Sequence, residues 1–291
     1  MTAGEVVIQA FCYGFLTLFC LSIIYPFWVT LILSFTPPHD ISTLGLKTWI
    51  DEWSLISYRF AFSSYGNVFV AYRNSIFRTV LGTVLTVTVT MFGAYPLSKR
   101  DLPGRSVMTI FLLIPMFFGG GFIPLYLLVR SLGLIDRFAV LIVLMLANSY
   151  YIIIMRNFFM TLDPAFEESA FLDGAGYGQI LFRIVAPLSK PVLATVAIWS
   201  AVAYWNEWFH AMVFITGRNK VVLQLLLRRI IEEASEIRTA IQNGEMLWDE
   251  MIRLEGIKAA VTIVTIGPII LAYPFMQRHF VKGIFVGSLK G

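Results

Sequence analysis

The sequence is dominated by apolar blocks that are long enough to cross a lipid bilayer as helices. The hydrocarbon core is ~30 Å thick, which about 20 helical residues span. The chain is 58% hydrophobic and 14% charged, whereas soluble domains average about a quarter charged residues. We expect an all-α membrane protein, one domain over residues 1–291, with six transmembrane helices at about 6–35, 75–98, 106–129, 138–159, 191–215 and 257–276.

A membrane β-barrel is not favoured, because its strands alternate in polarity over about ten residues. Residues 139–147 are all apolar and do not alternate. An even number of spans places both termini on one side of the membrane. The basic residues in the connection 99–105 and in the tail after residue 277 predict that this side is the cytoplasm. We expect a multi-pass protein of the inner membrane.

Several kinds of chemistry find no support in the sequence. The formal net charge of +4 is spread thinly, which does not favour a nucleic-acid partner. The histidines are His39, His210 and His279, far apart in sequence, and the cysteines Cys12 and Cys20 share one apolar run, so we expect no metal site. No phosphate-binding loop and no catalytic constellation are present, so we expect no cofactor in this chain.

The third apolar block is interrupted by residues that a regular helix does not tolerate. Pro115, the run Gly119, Gly120 and Gly121, and Pro124 all lie within it. Inside a membrane, irregular backbone is tolerated only where protein or a water-filled cavity satisfies its polar groups. The run predicts either part of a transport pathway or a kink.

The connection between spans four and five, residues 161–190, predicts a helix-turn-helix elbow that does not cross the membrane. Asp163 is a favourable N-cap and Pro164 suits the first helical position. Residues 165–172 then make about two turns, and Gly174 can end them in a left-handed conformation. From these residues alone, a simple interfacial loop remains the favoured alternative.

The residues Glu168-Ser169-Ala170-Phe171-Leu172-Asp173-Gly174-Ala175, followed by Phe182, Pro187 and Pro191, resemble the EAA loop of ABC importer permeases. In that family the loop is a coupling helix that inserts into a groove of a cytoplasmic ATPase subunit. Ser169 replaces the usual second alanine, and Ala186 replaces the usual leucine before Pro187. The resemblance implies that the ATPase-coupling residues are Glu168, Ser169, Ala170, Asp173, Gly174, Ala175 and Pro187.

Other segments are similar to carbohydrate permeases of the maltose-system type, including the stretches 94–105 and 123–134 and the Trp205-Asn206-Glu207-Trp208 run. The glycine run 119–121 resembles a subgroup that handles oligosaccharides, including uronate oligomers such as alginate. The resemblance implies a non-catalytic permease subunit of an ATP-driven importer for a sugar or oligosaccharide. Its expected partners are a second homologous permease, two ATPase subunits that use ATP and magnesium, and an extracytoplasmic substrate-binding protein.

The fifth span carries polar and aromatic residues at membrane depth. Intramembrane charges usually mark functional sites, and aromatic faces stack on sugar rings. Together with Gly119, Gly120 and Gly121, the candidate lining of the substrate path is Tyr204, Trp205, Asn206, Glu207, Trp208 and His210. The alternative, that Asn206 and Glu207 tie the span to neighbouring helices, carries equal weight.

An acidic substrate would be repelled by Glu207 unless that carboxylate were protonated or paired. Arginines near the outer mouth could meet such a substrate, although snorkelling is the favoured interpretation for each of them. These are Arg73, Arg78, Arg130 and Arg137.

The segment 217–256 is expected outside the membrane. Its apolar positions Leu223, Leu226, Leu227, Ile230, Ile231, Ala234 and Ile237 approximate one helical face, which predicts a solvated amphipathic helix or a docking surface. Two further classes of function stay open at this stage. An ion-coupled secondary transporter would need midplane coupling residues, and an intramembrane enzyme would need paired catalytic groups, for which Glu207 and His210 give thin support.

Overall fold

The computed structural model describes residues 3–41, 49–50, 52–63, 68–242 and 254–270, and their regular structure is entirely helical. Most of the helices are short, which reflects the breaks described below. Their bounds are Ala3–Phe35, Pro38–Ile41, Ile56–Ser63, Val68–Ser98, Arg105–Phe117, Phe122–Ser131, Val140–Leu146, Ser149–Phe159, Ala165–Leu172, Tyr177–Ile180, a π-helical turn Leu181–Val185, Ala186–Leu188, Lys190–Asn206, Phe209–Phe214, a 3-10 turn Arg218–Lys220, and Leu223–Gln242. Residues 254–270 are also helical.

Two helices are long and apolar enough to cross a membrane without a break, Gly4–Phe35 and Val68–Ser98. Three bent pairs qualify if each pair is taken as one span, so the described residues contain between two and five candidate spans. The predicted sixth block, 257–276, is helical to residue 270, and its remainder lies outside the described residues. The count of six stays a prediction.

The predicted interruption of the third block is confirmed. Helix Arg105–Phe117 and helix Phe122–Ser131 meet at an angle of 115° across residues 118–121. Gly121 has a φ of 79°, a left-handed conformation that glycine adopts without strain. The glycine run therefore makes a sharp reversal and not a slight kink.

Spans four and five, each predicted as one transmembrane segment, are interrupted in the structure. The fourth bends by 47° between Val140–Leu146 and Ser149–Phe159, where Asn148 Oδ1 accepts the N–H groups of Tyr150 and Tyr151 at 3.0 and 3.3 Å. The fifth stops at Asn206 and resumes at Phe209. A polar residue that can cap or brace a new helix end sits at each break.

The chain forms two compact units, the first from the described parts of Met1–Phe69 and Leu226–Pro268. Its long helix exposes large apolar side chains from Val6 to Trp28, as a lipid-facing helix does. Near the end of that helix, the hydroxyls of Ser34 and Tyr58 lie 2.9 Å apart, and the rings of Phe35 and Tyr58 are 5.0 Å apart.

The second unit, from Val70–Leu225 and the described part of Ile269–Gly291, has its apolar core at one end of the helix Val68–Ser98. Side chains from that helix, from Ser149–Phe159, from the elbow and from Lys190–Asn206 pack together there. The buried members are Met91, Ala94, Tyr95, Leu97, Ile152, Met155, Phe159, Ala170, Ile180, Leu181, Val185, Val192 and Val196. The elbow is thereby packed against its own bundle.

The predicted amphipathic helix in the segment 217–256 is confirmed as Leu223–Gln242. Leu223, Leu226 and Ile230 are buried as expected, whereas Ile231 is 43% exposed. Ala234 and Ile237 lie outside the described side chains.

One close approach in the second unit gives a test of the packing. A Cβ added to Gly82 would lie 2.6 Å from Tyr204 Cζ, with ring atoms on both sides, and Tyr204 is 1% exposed. We expect Gly82→Ala to lower the stability of the purified protein by about 1–3 kcal/mol, because a buried ring cannot move away. The measurement is the thermal unfolding midpoint by scanning fluorimetry.

Gly93→Ala is the matched control, since Gly93 is in the same helix and its added Cβ would meet the flexible end of Ile152 at 3.3 Å. We expect its midpoint to match the wild type or exceed it. Equal midpoints for the two variants would contradict the proposed packing of Tyr204 on Gly82.

Candidate functional site

The elbow forms as its local sequence predicts. Asp163 Oδ1 accepts the N–H of Ala165 at 3.0 Å at the start of helix Ala165–Leu172. At its end Gly174 has a φ of 82°, and the N–H groups of Gly174 and Ala175 donate to the carbonyls of Phe171 and Ala170 at 3.0 and 2.9 Å. These two bonds are the Schellman arrangement that satisfies a helix C-terminus.

The predicted coupling residues divide between the outer and inner faces of the elbow. Glu168, Ser169, Asp173, Gly174 and Pro187 are exposed, Ala175 is half-buried, and Ala170 is buried in the core. Leu172, between them, is 90% exposed.

Glu167, which sequence reasoning did not select, anchors the elbow to the bundle. Its carboxylate pairs with the ammonium of Lys99 and accepts the hydroxyl of Tyr95 at 3.1 Å. Lys99 Nζ also lies 4.3 Å from the centroid of the Tyr95 ring. The signal was present in the sequence, because Glu167 shares the inward face with Ala170, three positions on, whereas Glu168 points outward.

The break in span five is braced by a buried arginine. Arg78 is fully buried, and its guanidinium donates to the carbonyls of Tyr204 and Glu207, the latter at 2.8 Å. Its Nη1 is 3.4 Å from Glu207 Oε2. Glu207 Oε1 accepts the N–H of His210 at 2.7 Å, which caps the following helix. One guanidinium thus satisfies carbonyls that the break leaves without helical partners.

The favoured interpretation of Arg78 as a snorkelling residue was wrong. Snorkelling places the charged head in water, yet this guanidinium is enclosed and paired with a carboxylate. The pairing lies between residues 129 positions apart, which a pattern along the chain cannot show. Arg73, Arg130 and Arg137 are exposed, as that interpretation requires.

Tyr204 and Trp205 are buried and tie helices together. The Tyr204 hydroxyl donates to the carbonyl of Ile142 at 3.0 Å and lies 3.1 Å from the Thr86 hydroxyl. The Trp205 ring meets Tyr72 edge-on at 6.1 Å. Tyr204 and Trp205 therefore have the structural role that was considered for Asn206 and Glu207, and a direct contact of the run with substrate stays a prediction.

The other path candidates are more accessible. Asn206 is exposed, Trp208 and His210 are half-buried, and Gly119, Gly120 and Gly121 are exposed. The glycine run leads into Phe122, whose ring lies 5.4 Å from Phe209, next to the break at Glu207. The structure therefore brings Arg78, Tyr204, Glu207 and His210 into direct contact and links the glycine run to them only through aromatic packing.

A cavity of mixed polar and apolar lining at the break in span four was not predicted. It has a volume of about 170 Å³ and is lined by Leu144, Met145, Ala147, Asn148, Tyr151, Ser200, Ala203 and Tyr204. The Trp199 ring lies 5.8 and 6.0 Å from the rings of Tyr150 and Tyr151. The cavity itself is lined by the amide of Asn148 and by the side chains of Tyr151 and Tyr204, and amide and aromatic groups of this kind occur in ligand sites.

Asp136 connects the loop before span four to the residues that follow span five. It has a left-handed φ of 52° and accepts the N–H groups of Thr216 and Gly217 at 3.1 and 2.8 Å. The Lys220 ammonium, 2.8 Å away, and these two N–H groups lower the pKa of the Asp136 carboxyl to about 2. Asp136 therefore stays ionised at neutral pH and fastens the connection 132–139 to the segment after span five.

Comparison with known proteins identifies the chain. The profile of the family described as "Binding-protein-dependent transport system inner membrane component" matches residues 79–286. The chain belongs to this family. The expected resemblance to ABC importer permeases is confirmed, and this permease is a membrane component of a transport system and not an enzyme.

The permease also matches individual proteins along nearly its whole length. It is 38% identical to Protein LplC of Bacillus subtilis over 268 residues, 92% of this chain and 90% of LplC. It is 37% identical over 279 residues to the polygalacturonan/rhamnogalacturonan transport system permease protein YtcP of the same organism, covering 96% of each.

One solved structure aligns closely with the permease. It is a crystal structure of a bacterial ABC transporter involved in the import of the acidic polysaccharide alginate. The TM-score is 0.84 at 30% identity, with 96% of this chain and 99% of that chain covered.

The Arg78–Glu207 pair gives a stability test. Arg78→Met leaves the Glu207 carboxylate and the carbonyls of Tyr204 and Glu207 without their donor. We expect the stability to fall by about 3–5 kcal/mol, seen as a lower unfolding midpoint and a lower yield of the purified complex. Arg78→Met with Glu207→Met removes both charges, so we expect it to recover much of that loss. Arg130→Met, an exposed arginine, is the control. A double variant less stable than Arg78→Met would contradict the pairing.

Proposed function

We propose that this permease imports an oligosaccharide, of the acidic, uronate-containing kind, with energy from ATP hydrolysis in partner subunits. The observation that supports the coupling is the division of the elbow into an exposed face and a face that is ion-paired to its own bundle. The substrate class is supported by the names of YtcP, a polygalacturonan/rhamnogalacturonan permease protein, and of the alginate importer. AraQ of Bacillus subtilis, an arabinooligosaccharides permease protein 27% identical to this chain, supports an oligosaccharide more broadly.

The complex consists of this permease, a second homologous permease, two cytoplasmic ATPase subunits and an extracytoplasmic binding protein. ATP and magnesium bind to the ATPase subunits. The permease crosses the membrane six times, with both termini and the elbow on the cytoplasmic side, consistent with the basic connection 99–105 next to the elbow.

The elbow transmits movement because its two faces have different partners. The outer face, with Glu168, Ser169, Leu172 and Asp173, docks on the ATPase subunit. The inner face is joined to the helix Val68–Ser98 through the Glu167–Lys99 ion pair. Closure of the ATPase dimer then displaces that helix with the elbow and rocks the bundle between inward-open and outward-open states.

The substrate path passes the helix breaks in spans four and five. Irregular backbone at membrane depth lines cavities in transporters, and the cavity beside Asn148 contains an amide and aromatic rings. Glu207 would repel an acidic sugar if it were alone. Arg78 neutralises that charge, so the pair presents no net negative charge to a uronate.

The coupling proposal is tested by ATPase activity of the reconstituted complex with its binding protein and candidate oligosaccharides. Glu168→Lys reverses a charge on the outer face, and Gly174→Pro removes the left-handed turn that ends the helix, since proline cannot adopt a positive φ. We expect each variant to assemble and to lose substrate-stimulated hydrolysis by about tenfold or more.

Glu5→Lys, the same charge change at the exposed start of the first helix, is the control for that experiment and keeps normal stimulation. Unchanged stimulation in both elbow variants would mean that the elbow does not couple hydrolysis to transport.

The path proposal is tested at Asn148. Asn148→Asp keeps a side-chain oxygen that can cap helix Ser149–Phe159 but removes the amide donors and adds a negative charge. We expect the KM for uptake of an oligouronate to rise about tenfold, and the KM for a neutral oligosaccharide to rise less. Asn148→Ser, which also caps, separates loss of the donors from added charge. Equal KM values for all three proteins would place the path elsewhere.

A further inference from the structure

Two arginines converge on one carbonyl at the end of the helix Val68–Ser98. The Nε atoms of Arg105 and Arg156 both donate to the carbonyl oxygen of Leu97 at 3.0 Å, so they lie within about 6 Å of each other. Both side chains are half-buried. Two like charges this close are held against their mutual repulsion, which an anion bound between them would relieve.

Neither guanidinium has a carboxylate partner among the residues that the structure describes. Arg105 Nη2 also lies 3.1 Å from the sulfur of Met160, which is a weak acceptor. A guanidinium carries five N–H donors, so most donors of each arginine have no protein acceptor in the described structure. Lys99 nearby differs, because its ammonium is already paired with Glu167.

An apolar surface begins at the same point. Arg105 is the first residue of helix Arg105–Phe117, which has no buried residue. Val107, Phe111 and Phe117 are 71%, 73% and 77% exposed along it. Helix Arg105–Phe117 also packs beside Ser149–Phe159, which carries Arg156 in its last turn. Unpaired cationic donors thus lie at the interfacial end of an exposed apolar helix.

We propose that Arg105 and Arg156 form a binding site for the phosphate headgroup of an anionic phospholipid, whose acyl chains lie along helix Arg105–Phe117. Guanidinium groups bind phosphate oxygens through paired N–H donors, and basic pockets between membrane helices bind anionic headgroups. The placement of the site at the membrane interface rests on the proposed topology of the permease. The bound lipid would hold the end of the helix Val68–Ser98 against the helix Ser149–Phe159, which precedes the elbow.

The test measures lipid binding to the purified complex by native mass spectrometry, with phosphatidylglycerol, phosphatidylcholine and inorganic phosphate as probes. We expect phosphatidylglycerol to bind in preference to phosphatidylcholine. Arg105→Gln or Arg156→Gln should weaken phosphatidylglycerol binding about fivefold each, and the double variant about 25-fold. Arg130→Gln, which removes an exposed arginine of another helix, should leave it unchanged.

If the glutamine variants fail to fold, the double variant Arg105→Lys with Arg156→Lys is used, because it keeps both charges. It should retain most phosphatidylglycerol binding. Equal phosphatidylglycerol affinity in the wild type and the double glutamine variant would overturn the proposal. So would binding of inorganic phosphate without any binding of phosphatidylglycerol. So would a lack of preferential lipid binding in the wild-type complex, which would indicate that a partner subunit covers this surface. Because the readout is lipid binding, failure here would leave the import function untouched.

Discussion

The structure depends on one constraint, which is that backbone polar groups inside a bilayer must find partners within the protein. An unsatisfied N–H or C=O in hydrocarbon costs several kcal/mol. This permease interrupts its helices at residues 118–121, at 147–148 and at 207–208. At the last of these the guanidinium of Arg78 supplies donors to two carbonyls, and at the second Asn148 accepts two N–H groups.

The side chains at these helix breaks also connect separate helices of the permease to one another. Arg78 and Tyr204 connect the helix Val68–Ser98 to span five, and the far end of the same helix meets the elbow through Lys99 and Glu167. One long helix is therefore fixed to the proposed path at one place and to the proposed coupling surface at another. The elbow and the break at Glu207 are therefore connected through packed and hydrogen-bonded groups, which is the route that the proposed coupling requires.

The sequence predicted those features that neighbouring residues determine. The bounds of helix Ala165–Leu172 follow from Asp163 and Gly174, and the reversal at 118–121 follows from its glycines and the flanking prolines. Interactions between distant parts of the chain were missed. Glu207 was selected as an intramembrane charge, but its partner is 129 positions away, and Arg78 was assigned to the surface. Glu167 lies just outside the family motif, which begins at Glu168, and its partner Lys99 is 68 positions away in the sequence.

The most direct test of the link between the braced break and transport is oligosaccharide uptake into proteoliposomes that contain the whole complex. The comparison is between the wild type and the double variant Arg78→Met with Glu207→Met, normalised to assembled complex. If the break must be held in this geometry for substrate to pass, uptake falls by about tenfold or more although the complex assembles. Uptake equal to the wild type would contradict this link and would reduce the Arg78–Glu207 pair to a feature of folding alone.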